Sequence, residues 1–316
     1  MANIGYMQVT RRCNQKCRFC SNPEREADMG LRDGFAYIDD LREKRFLCVL
    51  FTGGEPTLSD DLPAFISHCR DINFMSKLCT NGQKLADRKY LKLLLDNGLN
   101  HICMSMHSHK PEVQDSLTSN PGSLDNILCA LDNIAHYPEI TLDILTTINK
   151  YNAGHLSGNI RFLLDRFPFF SHVTWNNLDP RMNRTTENPD TIPRLRDFHL
   201  ELALAMDMLD TAGKPFQVER VPLCYMAEHA DRSTETRRIV KREERLTYFL
   251  DERGALRWKN WEHDKADCCA VCTLNEICAG LYQKDIYYSS EELFPVFIDK
   301  NAVIAKILAG AAPQNG

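Results

Sequence analysis

From Tyr6 to Asn176, short apolar segments and amphipathic stretches alternate at intervals of roughly thirty residues, the length of one strand–helix–strand unit. No other property of the chain restricts its fold as much. The apolar segments read as six strands: Tyr6–Thr10, Phe46–Thr52, Ser76–Thr80, His101–Met106, Ile140–Thr147 and His172–Asn176. Between them, apolar periodicity predicts helices over Phe35–Lys44, Leu62–Asp71, Lys89–Asn97, Leu124–Ala135 and Gly154–Phe167. A longer helix opens at Thr191-Ile192-Pro193 and stops at Gly213. Helical crossovers join parallel strands, so an α/β fold with a parallel sheet follows, and reactive residues are expected at the carboxyl ends of its strands.

Two motifs close the first two strands. After Thr10 stands Cys13-Asn14-Gln15-Lys16-Cys17-Arg18-Phe19-Cys20, three thiols in eight residues. A 4Fe–4S cubane normally takes four cysteines, so three leave one iron open to a ligand that is not protein. The same triplet also describes a zinc knuckle completed from elsewhere. The second strand ends in Thr52-Gly53-Gly54-Glu55-Pro56. Its glycines permit close backbone approach, and Glu55 offers an ammonium group a charge-assisted acceptor. Placed one unit after C-x3-C-x2-C, this motif favours a cluster over zinc. With Phe19 before the last cysteine, the two motifs together resemble the signature of the radical S-adenosylmethionine (radical SAM) superfamily.

That resemblance implies a partial (β/α)6 TIM-like barrel, with SAM chelating the open iron through its amino and carboxylate groups. Gly53, Gly54, Glu55 and Pro56 match the motif that holds the amino group. Asn81 in Thr80-Asn81-Gly82, Ser105 and His107 after the fourth strand, and Asn149 after the fifth fall where the family contacts the ribose and carboxylate of SAM. Each is also a turn-former. The implied reaction is reductive cleavage of SAM to a 5′-deoxyadenosyl radical that abstracts a substrate hydrogen, with a flavodoxin- or ferredoxin-type protein as electron donor. The cofactor carries the difficult chemistry, so no side chain is assigned as a catalytic acid or base.

Near Val221 the texture changes, which divides the chain into a barrel over 1–220 and a small cysteine-rich domain over 221–316. The charged segment Ala227–Arg245 comes first; within it, the mixed signs of Arg237–Arg245 read as a solvated, self-paired helix face. Cys269, Cys272 and Cys278 then form C-x2-C-x5-C, and Cys224 offers a fourth thiol; Cys268 in place of Cys269 gives C-x3-C and stays open. Four cysteines close one cubane and equally describe structural zinc. Beside the amino-terminal motifs the pattern resembles the SPASM and twitch auxiliary-cluster regions, the single-cluster twitch form more closely, which implies a second 4Fe–4S cluster. Pro222-Leu223-Cys224 and Trp258-Lys259-Asn260 look like parts of the His-Xaa-Ser-type peptide maturases, and point to a ribosomally made peptide as substrate. Against this, only a few residues precede the first strand, where many peptide-maturing relatives carry a recognition domain. The alternatives are a small-metabolite substrate and, from a different class, a non-catalytic iron–sulfur or zinc protein.

A formal charge of −5 and a pI near 6.1 supply no electrostatic reason for a nucleic-acid partner. The longest apolar run, Phe46 to Phe51, is too short to span a bilayer. Met1-Ala2-Asn3-Ile4-Gly5 begins no secretory signal, so the thirteen cysteines are expected as thiols in a reducing cytoplasm. Cys48, Cys69, Cys79, Cys103 and Cys129 lie singly in apolar or helical stretches and read as small core hydrophobes.

Overall fold

The computed structural model describes residues 3–21, 26–181 and 183–310. Met1, Ala2 and residues 311–316, which belong to the amino-terminal reading and to the expected carboxyl-terminal domain, lie outside these. Strands β1 (Ile4–Thr10), β2 (Cys48–Gly53), β3 (Met75–Thr80), β4 (His101–Ser105), β5 (Thr141–Ile148) and β6 (His172–Asn177) occupy the six expected positions. Helices α1 (Leu31–Glu43), α2 (Leu62–Asp71), α3 (Arg88–Asp96), α4 (Pro111–Thr118), α5 (Ser123–Ile134) and α6 (Leu156–Arg166) lie in the crossovers. Short α7 (Asn183–Glu187) and long α8 (Leu195–Thr211) lead to β7 (Phe216–Glu219). Then come α9 (Thr234–Lys241), the hairpin β8 (Arg245–Tyr248) and β9 (Ala255–Trp258), and α10 (Lys300–Ala309).

The strands form one sheet in the order β7-β6-β5-β4-β3-β2-β1-β8-β9, parallel except for β9. Among the described residues its edges, β7 and β9, do not pair, so the barrel stays open. This is the α/β partial barrel expected, with three strands beyond the six. The segment after residue 221 returns to the sheet, because β8 pairs with β1 from Ile4↔Arg245 to Met7↔Tyr248.

A parallel sheet covered on both faces reads as continuous apolar runs. Here the strands alternate. Ile102, Met104, Leu142, Ile144, Val173 and Trp175 are fully buried in the core, while Asp143, Thr147, Asn176 and Glu219 are half-buried on the other face. At the amino-terminal ends of the strands that second face carries His101, Cys103 and Asp143, with His101 Nε2 2.6 Å from Asp143 Oδ2.

Two expectations are corrected. Arg237–Arg245 is not a self-paired surface. Arg238 and Arg245 both turn onto Glu219, at 3.3 and 3.2 Å, because a carboxylate with little solvent contact needs cations more than the surface does. Cys129 is exposed rather than part of the core; on α5 it faces away from the side that buries Ile127, Ala130 and Leu131.

Candidate active site

The carboxyl ends of the strands surround a cavity of about 330 Å³. Cys13, Cys17, Phe19 and Cys20 line it together with Gly53, Gly54, Glu55, Asn81 and Ser105. Pro56 and Asn149 do not. Pro56 is buried as the first residue of a 3-10 turn, Pro56–Leu58. Asn149 spends its amide on a local turn, donating to Thr147 O (2.9 Å) and accepting from Tyr151 N–H (3.0 Å).

The cysteine loop is short and polar, and its shape is imposed from outside. Lys16 and Arg18 N–H donate to Thr118 O (3.1 Å) and Leu117 O (2.9 Å) at the end of α4. Gln15 Nε2 donates to Ser123 Oγ at 3.0 Å, and Asn81 Nδ2 to Asn14 Oδ1 at 2.7 Å. The Phe19 ring meets His107 edge-on, with centroids 4.8 Å apart. Burial pulls the His107 pKa down to about 4, so the ring is neutral, and its Nδ1 accepts the Thr147 N–H at 3.2 Å.

The glycines of the second motif serve this loop. Gly54 N–H donates to Thr10 O (2.7 Å) and Glu55 N–H to Arg12 O (2.8 Å). A Cβ on Gly53 would stand 2.1 Å from Thr10 O, and one on Gly54 2.1 Å from Arg12 O. Glu55 is buried beneath them. Its Oε1 accepts from Thr57 N–H (3.2 Å), Thr57 Oγ1 (2.7 Å) and Thr80 Oγ1 (2.6 Å), and its Oε2 accepts from Asn81 N–H (2.7 Å). Burial raises its pKa and these donors oppose the rise. The carboxylate therefore ties β2 to β3 beside the cavity.

The donor set suits a cluster. Burial, the first cause in each case, pushes the Cys13 thiol up to about 11 and Cys17 higher still. Coordination to a metal reverses that by deprotonating a thiol outright. Residues 7–163, which contain both motifs, match the family model described as Radical SAM superfamily. The chain carries a radical SAM domain. Fe-coproporphyrin III synthase of Methanosarcina barkeri is 34% identical to it over 148 residues, 46% of this chain and 36% of that protein. PqqA peptide cyclase of Xanthomonas campestris pv. campestris is 28% identical over 163 residues, 50% of this chain and 43% of that protein. The chain thus spans less than half the length of either curated relative. The solved structure of anSMEcpe with bound AdoMet and Cp18Cys peptide superposes with a TM-score of 0.63 at 14% identity, over 99% of this chain and 97% of that one. That likeness shows a shared fold. A radical SAM domain implies SAM and a 4Fe–4S cluster as cofactors.

Beyond the matched radical SAM residues, the cavity has a wall that sequence reading missed. Asn176, Asn177, Asp179, Glu219 and Arg220 line it from the ends of β6 and β7. Asn176 could have been found from its place at the carboxyl end of an expected strand. Glu219 and Arg220 could not, because β7 is four residues long and follows a Gly-Lys-Pro turn. Four expected auxiliary cysteines also lie past the radical SAM match, Cys224 in a 3-10 turn (Leu223–Tyr225) and Cys269 in another (Asp267–Val271). Burial, with Cys278 and Cys269 close by, pushes the Cys224 thiol up to about 12. Cys278 Sγ accepts from Gly280 N–H at 3.4 Å and Cys272 Sγ from Val296 N–H at 3.5 Å. Cys268 interacts with both Cys269 and Cys272, so the choice between the two neighbours stays open.

Proposed function

We propose that this protein is a radical SAM enzyme that abstracts hydrogen from a peptide substrate. The observation that carries the reading is one cavity in which Cys13, Cys17 and Cys20 meet Gly53, Gly54 and Glu55 inside the matched domain. Those cysteines would hold the cluster, and Gly53, Gly54, Glu55, Asn81 and Ser105 would contact SAM. When bound, cluster and SAM supply a one-electron cleavage that yields a carbon radical able to take a substrate hydrogen. The protein's own part is placement. Glu55 fixes the Asn81 backbone, Phe19 and neutral His107 pack beside the loop, and the Gly53-Gly54 turn sets the loop's distance from β2. A peptide substrate is supported by the likeness to PqqA peptide cyclase. A small-molecule substrate is the second reading, supported by the likeness to Fe-coproporphyrin III synthase.

In this reading residues 221–316 form an auxiliary unit in which Cys224, Cys269, Cys272 and Cys278 hold a second 4Fe–4S cluster, and a flavodoxin- or ferredoxin-type protein supplies the electron. The amino-terminal cluster motifs in the same chain, with an all-thiol ligand set, support iron over zinc here.

The test is anaerobic reconstitution, reduction, addition of SAM and quantification of 5′-deoxyadenosine. We expect product from the wild type and none from the C13A/C17A/C20A variant. Iron should fall from about eight to about four per chain in C269A/C272A, as two cubanes become one. Zinc without iron in the wild type, and no product, would sink the reading.

A further inference from the structure

Arg220 follows β7 directly, at the carboxyl end of the sheet's edge strand, and lines the cavity. Its backbone has φ +60°, a left-handed conformation that a non-glycine residue rarely adopts. Such strain persists only where the surroundings over-determine it. Here they do. Arg220 N–H donates to Glu235 Oε1 (3.1 Å), and Arg220 O accepts from Asn177 Nδ2 (3.3 Å). The backbone is locked so that this side chain faces the cavity.

The guanidinium makes no direct ion pair, although against its burial the charges of Glu219, Asp179 and Glu235 lie near enough to raise its pKa. Nη1 donates to a carbonyl, Asn177 O, at 3.3 Å, and among the described residues no carboxylate oxygen lies within 4.0 Å of it. The direct bonds of these acids go to other groups. Glu219 takes Arg238 and Arg245. Asp179 takes the Tyr282 hydroxyl at 2.6 Å and Arg181 at 3.6 Å. Glu235 takes the Arg220 N–H. On the same wall, in register between Thr147 and Glu219, stands Asn176. Its Oδ1 is buried with no hydrogen-bond partner, an unfavourable state until a donor arrives. A guanidinium with no direct ion pair and an acceptor without a donor thus line the same cavity wall.

We propose that Arg220 and Asn176 form the substrate-anchoring subsite, with a substrate carboxylate on the guanidinium and an adjacent substrate N–H on Asn176 Oδ1. The proposal rests on the peptide-modifying reading above and narrows it to a peptide presenting an acidic side chain or a free carboxyl terminus. A guanidinium fork matches a carboxylate bidentately, and the charge-assisted bonds it makes are roughly twice as strong as neutral ones. Asn176 then takes the donor that every peptide unit carries.

The test captures a synthetic mixture of random peptides on the reconstituted holoprotein with SAM present, once with amidated and once with free carboxyl termini. Bound peptides are read by mass spectrometry. Enrichment of Asp or Glu in the amidated mixture assigns the carboxylate to a side chain; enrichment confined to the free-terminus mixture assigns it to the terminus. In R220Q the preference should fall about tenfold or more. R220K should keep part of it, and N176L should weaken capture without altering the acid preference. Iron content shows that each variant still folds and loads. An acid preference that survives R220Q, or no such preference in the wild type, overturns the proposal. SAM affinity is measured alongside. If R220Q weakens SAM and leaves peptide selection intact, the carboxylate is that of SAM and the proposal falls. If no peptide binds, yet N-acetylglutamate binds in preference to N-acetylglutamine through Arg220, the peptide reading fails and the carboxylate anchor stands. Binding of neither overturns both.

Discussion

Gly54 is a small residue with a large constraint. Its Cβ position is filled by the Arg12 carbonyl oxygen, which is backbone and has no rotamer through which to retreat. Gly54→Ala must therefore push β2 and the cysteine loop apart, weakening the Gly54 N–H to Thr10 O bond. The expected cost is roughly 1–3 kcal/mol of stability, with a matching loss of iron from the Cys13, Cys17 and Cys20 site. Urea unfolding and iron analysis check this; wild-type values for both would mean that the loop has room to move. At this scale the sequence was partly legible. The glycines were visible as a point of close approach, but the neighbour they admit is the chain itself. For Asn149 the sequence left a SAM contact and a turn both open; the turn is what forms, because its partners, Thr147 O and Tyr151 N–H, are set by how β5 ends.

Among the elements, Glu219 does the work of a clamp. It ends β7 and draws in Arg238 from α9 and Arg245 from β8, with the Trp261 ring centroid 4.2 and 5.5 Å from the two guanidinium carbons. Burial would push its carboxyl pKa up, but Arg220, Arg245 and Arg238 hold it well below the usual range. Glu219→Gln leaves those guanidiniums facing a neutral amide. Breaking such a pair costs about 3–5 kcal/mol when burial is complete; with side chains 14–22% exposed, about 2–3 kcal/mol is the expected loss in denaturant unfolding. A loss below about 1 kcal/mol would show that solvent screens the clamp. The six expected strands were legible as short apolar segments separated by amphipathic stretches, because apolar content and spacing are local properties of the chain. The clamp was not. The arginines of 237–245 are charged in any context, and only Glu219, some twenty residues upstream in a strand too short to recognise, tells them to turn inward.

For the molecule as a whole, the same charge cluster sets a pH response. Glu235 is buried, and burial first, then the charge of Glu219, pushes its pKa up to about 7. A carboxylate in the unfolded chain titrates near 4.3, so between these values the folded state binds the extra proton, and stability falls as pH rises through that window. Glu219 has the opposite sign, since its depressed pKa contributes stability above about 4.3 that is lost only in stronger acid. In Glu235→Gln the decline from about pH 4.3 to about pH 7 should flatten, moving the variant-to-wild-type gap by on the order of 2 kcal/mol across the window. Urea titrations at several pH values read this directly, and parallel curves for the two proteins would count against it. By itself the sequence determined the alternating architecture and the two motifs that meet in the cavity, because apolar periodicity and ligand spacing are local and survive without tertiary context. Only the tertiary structure decided the remaining wall. Asn176, Asp179, Glu219 and Arg220 come from the ends of two strands, and what each does depends on which partners the fold leaves it. Arg220 lines the cavity without a direct ion pair because the acids around it bond other groups, a fact that exists only once the chain has closed around them.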